Sequence, residues 1–360
     1  MKHRKTQVAA AVGAALLLGA GAAQAQNLQV QLYGQVDRML MFADNETASK
    51  WFFVDNQMSS SRIGIQGSAD VARGLRAGGR IETEIRSNRS NEVNFVSPTN
   101  GSSQGFTERW IDAWVEGAWG RINLGQGSGA ADDASTIDLS GTSVINGATI
   151  SDHGGAIPFT TSAGVAVATP VQVLDNFDFE SRYDRVMYTT PVFGGFRAQV
   201  GAGQKDNTGE AVEASVWYSG KLAGELQAAL GYSIVNTGTA TTDDRVTMGG
   251  SISWLHTSGF NITGQYTTRE LDGVVGGRDA DHMFLKVGYK FGTHAISAAY
   301  EITNDQTQAG DEGTVMSLGY VWNPIRWAEF YAGYHLFSLD RTGVDVNDIT
   351  VFALGTRIRF

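Results

Sequence analysis

The chain of 360 residues contains no cysteine and only 5 prolines. Without Cys it has nothing to mispair where it crosses an oxidising compartment. Long apolar runs are also missing. Beyond residue 25 no stretch approaches the roughly twenty uninterrupted apolar residues of a membrane-spanning helix. If this chain enters a membrane, it does so as a closed barrel, whose strands satisfy one another's backbone groups. Positive charge is scarce: 27 Lys and Arg stand against 37 Asp and Glu, a formal charge of −10. Such a chain is a poor candidate for binding nucleic acid. No convincing amphipathic helix is found either.

What is present begins with a leader. Lys2, His3, Arg4 and Lys5 form a positive n-region, Val8 to Ala23 is rich in Ala, Gly, Val and Leu, and Ala23-Gln24-Ala25 has the small-x-small form of a cleavage site. Residues 1–25 therefore read as a signal peptide and 26–360 as one barrel domain. Losing Lys2, Arg4 and Lys5 takes the charge from −10 to −13. At the other end, Phe352, Leu354, Thr356, Ile358 and Phe360 form one phase of a period-2 strand, with Ala353, Gly355, Arg357 and Arg359 on the other. A soluble protein normally blunts such an exposed edge. In a closed barrel the last strand pairs with the first.

Alternation continues between the ends. Leu226, Ala228, Leu230, Tyr232 and Ile234 oppose Gln227, Ala229, Gly231 and Ser233, and Phe260, Ile262, Gly264 and Tyr266 oppose Asn261, Thr263 and Gln265. The pattern predicts an all-β fold of sixteen strands near 28–42, 60–70, 74–87, 106–118, 120–127, 182–191, 194–204, 210–220, 222–235, 244–255, 258–270, 280–291, 293–303, 312–323, 325–338 and 349–360. An even number closes antiparallel, and tight turns alternate with longer polar connections as in a transmembrane β-barrel. Aromatics toward the strand ends, such as Trp254, Tyr289, Trp322 and Tyr334, suit girdles at the two membrane interfaces. The mean hydropathy of −0.16 agrees, because only alternate strand residues face lipid. Sixteen strands enclose a water-filled lumen.

One connection, 127–181, breaks the rhythm. A structureless loop of that length is expected to be functional. From Ile122 to Ser181 it has no Lys or Arg, against Asp132, Asp133, Asp138, Asp152, Asp175, Asp178 and Glu180.

These residues resemble the general porin family of Gram-negative outer membranes over essentially the whole exported chain. Leu32-Tyr33-Gly34-Gln35-Val36-Asp37 looks like the family's first strand. Ser61-Arg62-Ile63-Gly64-Ile65-Gln66-Gly67, followed by Gly74-Leu75-Arg76-Ala77, looks like its second and third. Tyr188-Thr189-Thr190-Pro191-Val192-Phe193-Gly194-Gly195-Phe196 is similar to the hairpin after the third loop, and Gly355 to Phe360 to the terminal signature read by the outer-membrane assembly machinery. The resemblance implies a homotrimer of sixteen-stranded barrels among outer-membrane lipids and lipopolysaccharide. In each barrel the third loop folds into the lumen as a constriction and its acids face wall arginines. Small hydrophilic solutes and ions pass by diffusion, with no enzyme activity, cofactor or metal. Arg62 and Arg80 lie on polar strand phases and are the wall candidates, joined by Arg182 or Arg185. Asp132, Asp133 and Asp138 are the opposing loop candidates, and Phe360 is the assembly signal. Ile111 stands where the family often has a wall arginine, and Gln126 where Arg is common, so the basic ladder is expected to be thin. With the acid-rich loop, this predicts a mild preference for cations.

Other motifs carry less. Gly101-Ser102-Ser103-Gln104-Gly105 matches the nucleophile elbow but lies in a polar loop without the required strand and helix. Gly125-Gln126-Gly127 grazes the dinucleotide fingerprint, yet no βαβ unit follows. The five histidines beyond the leader, His153, His256, His282, His294 and His335, are not at metal-ligand spacing. A substrate-selective channel for small acids, sugars or phosphate and a barrel enzyme are the alternatives. The enzyme would need a Ser or Asp partner for His153 or His335.

Overall fold

The computed structural model describes residues 26–99, 105–205, 209–236, 244–270 and 279–360. The leader at 1–25 and most of the Gly101–Gly105 motif lie outside them. The strands are β1 (Gln26–Asp44), β2 (Ser49–Asp55), β3 (Arg62–Ala72), β4 (Leu75–Arg86), β5 (Gly105–Gly117), β6 (Gly120–Gly127), β7 (Phe159–Thr160), β8 (Ala166–Ala168), β9 (Tyr183–Thr189) and β10 (Phe196–Lys205). They continue as β11 (Gly209–Lys221), β12 (Gly224–Asn236), β13 (Arg245–His256), β14 (Phe260–Glu270), β15 (Asp279–Phe291), β16 (His294–Asn304), β17 (Glu312–Ile325), β18 (Ala328–Asp340) and β19 (Ile349–Arg359).

All but the small β7–β8 hairpin join one antiparallel sheet of 17 strands. β2 and β3 share one position in it, because β2 pairs with Arg38–Asp44 of β1 and β3 with the part of β1 up to Gln35. The sheet closes where β1 meets β19, from Gln35↔Arg359 to Asp44↔Thr350. The result is a closed sixteen-stranded antiparallel barrel, as the alternation predicts. Most predicted strand ends fall within a few residues of the observed ones. The exception is the predicted strand 60–70, which misses β2. Trp51 and Phe53 are exposed while Phe52 and Val54 are buried, so β2 is apolar on both phases and shows no alternation.

The outer phase is apolar and exposed, with Leu230 at 70% and Leu285 at 49%, and the other phase buries Ser251, Ser253, Asn261, Thr263, Gln265 and Thr267. That inverts a soluble core and suits a wall between lipid and water. At the short-turn end, Tyr289, Phe291, His294, Trp322 and Phe330 form a chain of ring contacts.

The interior is not uniformly open. Val144, Ile145, Ile150, Ile157, Phe159, Val173 and Leu174 of the long connection pack with Met39, Met41, Phe52, Val54, Phe337, Ile349 and Val351 of the wall into one buried cluster. Wall glycines make room for it: a Cβ on Gly333 would come within 2.5 Å of Ile145, and one on Gly319 within 2.7 Å of Asn146. Apolar burial thus holds the connection to this part of the wall.

Candidate functional site: an arginine and aspartate cavity

Two irregularities in the wall, the end of the long connection and the last strand bring arginines together. Between β2 and β3 the strand is interrupted by a 3-10 turn, Gln57–Ser59, whose first backbone donors are met by Asn56: its side chain accepts from Met58 N at 3.1 Å. Gln35 Nε2 holds the turn, donating to Ser59 O at 2.7 Å and Ser60 O at 2.9 Å. Arg62 follows directly. In β5 a bulge leaves Arg109 unpaired between Glu108 and Trp110, opposite Glu82 and Thr83. A bulge re-aims side chains, and Arg109 Nε donates to Glu82 at 2.7 Å. Arg182 ends the long connection just before β9. Arg357 on β19 donates to Glu329 at 2.6 Å and to Ser59.

The connection brings the acids. Its backbone and one side chain are fastened to the buried polar phase of the wall: Ile137 N donates to Ser251 Oγ at 3.0 Å, Leu139 N to Ser253 Oγ at 2.9 Å, and the Asn146 side-chain Oδ1 accepts from Ser317 Oγ at 2.7 Å. Glu213 of β11 clamps both ends of it, accepting from Ala130 N at 2.8 Å and Glu180 N at 3.1 Å. Asp133, with φ of 69°, donates its backbone N–H to Asp178 at 3.2 Å. Carboxylate oxygens of Asp132, Asp133 and Asp178 lie within 4.8 Å of one another. Among the described residues this is the grouping with metal-ligand spacing, but the Arg182 guanidinium attracts Asp132 and Asp133 and offsets their charge.

A cavity of about 430 Å³ lies between the two sets. Arg62, Arg109, Arg182 and Arg357 line it from the wall, and Asp132, Asp133, Asp138, Asp152 and Asp178 from the connection.

Comparison with known proteins decides what this barrel is. A family model described as Gram-negative porin matches residues 9–342. The chain belongs to the Gram-negative porin family. Outer membrane porin protein 32 of Delftia acidovorans is 26% identical over 333 residues, covering 89% of this chain and 86% of that protein. Among solved structures, the anion-selective porin from Comamonas acidovorans matches with a TM-score of 0.66 at 20% identity, covering 93% of this chain and 100% of that one. The trimer form of OmpT from Vibrio cholerae matches with a TM-score of 0.60 at 18% identity, covering 93% and 100%. This porin is an outer-membrane channel for small solutes, not an enzyme.

In this porin the acids of the connection differ in their surroundings. Asp138 pairs with Lys286, a fully buried wall lysine that also donates to Asn146 O. Asp175 faces Arg269 at 3.4 Å, and Glu180 meets Lys205 at 3.4 Å and Arg245 at 2.6 Å. Burial, and then the charge of Asp133, push the Asp178 carboxyl up to about 6. The same causes raise Asp132 well above the usual carboxylate range. Burial lifts Asp152 to about 7. Three of the seven loop acids are thus cancelled by wall cations the sequence pattern did not pair with them.

The predicted site residues divide. Arg62, Arg182, Asp132, Asp133 and Asp138 meet at one cavity. Arg80 lies in a second cavity, 3.2 Å over the Trp110 ring. Arg185 is buried beneath the wall, bonded to Ser128 O at 2.8 Å and Asp112 at 3.2 Å. Arg109 and Arg357 had not been singled out. The bulge hides Arg109 from any count by twos and supplies a basic wall residue despite Ile111. Arg357 sat in plain view on the terminal strand's polar phase. Phe360 closes the barrel backbone: its N–H donates to Gly34 O at 3.0 Å and its O accepts from Gly34 N at 2.9 Å.

Proposed function

We propose that this porin is a water-filled diffusion channel whose 127–181 connection lies in the lumen as a constriction, with a transverse field between wall arginines and loop aspartates. The observation that carries it is the single cavity lined by Arg62 and Arg182 on one side and Asp132, Asp133 and Asp178 on the other. The cation preference expected from counting loop acids loses its main support, because Asp138, Asp175 and Glu180 are paired with wall cations. Arg62 and Arg182, neither with a carboxylate at ion-pair distance among the described residues, face acids whose charge is reduced by their raised pKa values. The channel is then weakly selective near neutral pH and tilts toward anions as pH falls. A relative described as anion-selective agrees with the direction of that tilt.

The sign follows from the carboxyls. Asp152 and Asp178, raised to about 7 and about 6, lose charge between pH 8 and 5, while the arginines keep theirs. One unit charge about 8 Å from a passing ion is worth about 0.5 kcal/mol at water-like dielectric, roughly a twofold change in a permeability ratio. The experiment is the zero-current potential across a KCl gradient as a function of pH. The same reading has residues 1–25 removed on export, the barrels assembled as a homotrimer, as in the trimer form of the Vibrio cholerae relative, and Phe360 acting as the assembly signal.

A further inference from the structure

A second cavity, of about 900 Å³, lies against β3–β6, β9 and β10, beside the short turns at Gly117–Gly120 and Thr190–Val192. Arg76, Arg80, Arg121 and Arg197 line it, against Asp112 and Glu116. Both carboxylates are engaged: Asp112 accepts from Asn123 at 2.8 Å and Arg185 at 3.2 Å, and Glu116 pairs with Arg121. Arg76 leans toward Asp70 at 3.4 Å. Arg80 and Arg197 remain, neither with a carboxylate at ion-pair distance among the described residues. Nε of Arg197 is buried without a hydrogen-bond partner.

Both guanidiniums lie on indoles, Arg80 at 3.2 Å from the Trp110 ring and Arg197 at 5.0 Å from that of Trp217. Stacking holds a guanidinium flat and leaves its N–H edge free to take a carboxylate in its fork. The cavity thus offers Arg197 as a planar cation with no carboxylate beside it, Arg80 as a second cation attracted by Glu82 and Asp112 and bonded with Tyr33, and planar aromatic walls in Trp110 and Trp114. A spherical anion uses the charge alone. A planar carboxylate uses the fork, the flat face and the aromatic wall together.

We propose that this cavity is a retention site for planar organic carboxylates, aromatic acids above all, separate from the arginine and aspartate constriction. The carboxylate occupies the fork of Arg80 or Arg197, and the ring lies against the guanidinium and indole faces. This rests on the channel reading, since the solute must reach the lumen.

The test is single-channel current through the full chain in a planar bilayer, with benzoate, cyclohexanecarboxylate, acetate or inorganic phosphate added to either side. Benzoate should interrupt the current at a concentration up to about tenfold below acetate, with cyclohexanecarboxylate between them, since aromatic contact adds roughly 0.5 to 1.5 kcal/mol to the carboxylate interaction that all three share. Arg80→Gln and Arg197→Gln should each weaken the benzoate block by a similar factor while KCl still conducts. Arg197→Lys, which keeps the charge but not the fork, should lose the preference of benzoate over phosphate. Benzoate no better than acetate, phosphate equal to benzoate in the unaltered protein, or an unchanged block in Arg80→Gln with Arg197→Gln would each overturn the site. Absence of KCl current in the unaltered protein would instead overturn the channel reading.

Discussion

Adjacent sides of the same barrel use the inner strand phase in different ways. Along β1, β2 and β17–β19 much of the inner phase is apolar: Phe52, Val54, Phe337, Ile349 and Val351 are buried in one cluster with Ile145, Ile157 and Phe159 of the long connection. Along β3–β6, β9 and β10 it is polar, with Gln66, Arg80, Asn123 and Gln199 lining an open cavity. The outer phase is apolar on both sides. An inner wall covered by protein needs hydrocarbon, and one covered by water needs amides and charges. The arginine and aspartate cavity sits where the two regimes meet, its loop held by the packed side and its wall arginines reached from the open side.

Substitutions on each side sharpen this contrast. Phe52→Ala, in the packed cluster, should cost about 3 to 5 kcal/mol, whereas Trp114→Ala on the open side, where the ring is half-buried under Arg121, should cost about 1 kcal/mol. Denaturant-induced unfolding in detergent micelles measures both. Equal costs would remove the distinction between the sides.

Lys286→Met should cost about 3 kcal/mol by leaving Asp138 unpaired, and Lys286→Met with Asp138→Leu should recover most of it. The same unfolding measurement reads this, together with noise in the open-channel current if the connection loosens in the single variant. A double variant no more stable than the single would mean that Lys286 acts through Asn146 and not through the ion pair.

A small change in stability is expected for deleting Phe360, about 1 to 2 kcal/mol for two lost backbone bonds to Gly34. Its proposed role in assembly predicts something else. The truncated chain should refold in detergent yet give little heat-modifiable protein in the outer membrane of cells. Normal assembly in cells would dismiss Phe360 as a signal.

Much of the barrel was legible because lipid imposes a period of two on its outer face, and strands such as β12 and β14 expose that period fully. β2 was invisible for the opposite reason: with Trp51 and Phe53 facing out and Phe52 and Val54 facing the connection, both phases are apolar. Arg62 could be placed by phase, since nothing irregular lies between it and Gln66. Arg109 could not, because a bulge changes the count at the residue that matters. The ion-preference expectation loses its support on pairing. Acids can be counted in a sequence, but that Lys286, Arg269 and Arg245 stand opposite Asp138, Asp175 and Glu180 depends on strand register more than 60 residues away.

The zero-current potential across a KCl gradient, followed from pH 8 to pH 5 in the unaltered porin and in Asp132→Asn with Asp133→Asn and Asp178→Asn, tests the constriction most directly. The unaltered channel should move toward anion preference as pH falls through the range of Asp152 and Asp178. The triple variant should be shifted that way already at pH 8 and respond to acid only by the smaller step that Asp152 supplies. A pH-independent potential in the unaltered channel, or a triple variant that tracks it at every pH, would place these aspartates outside the path of the ions.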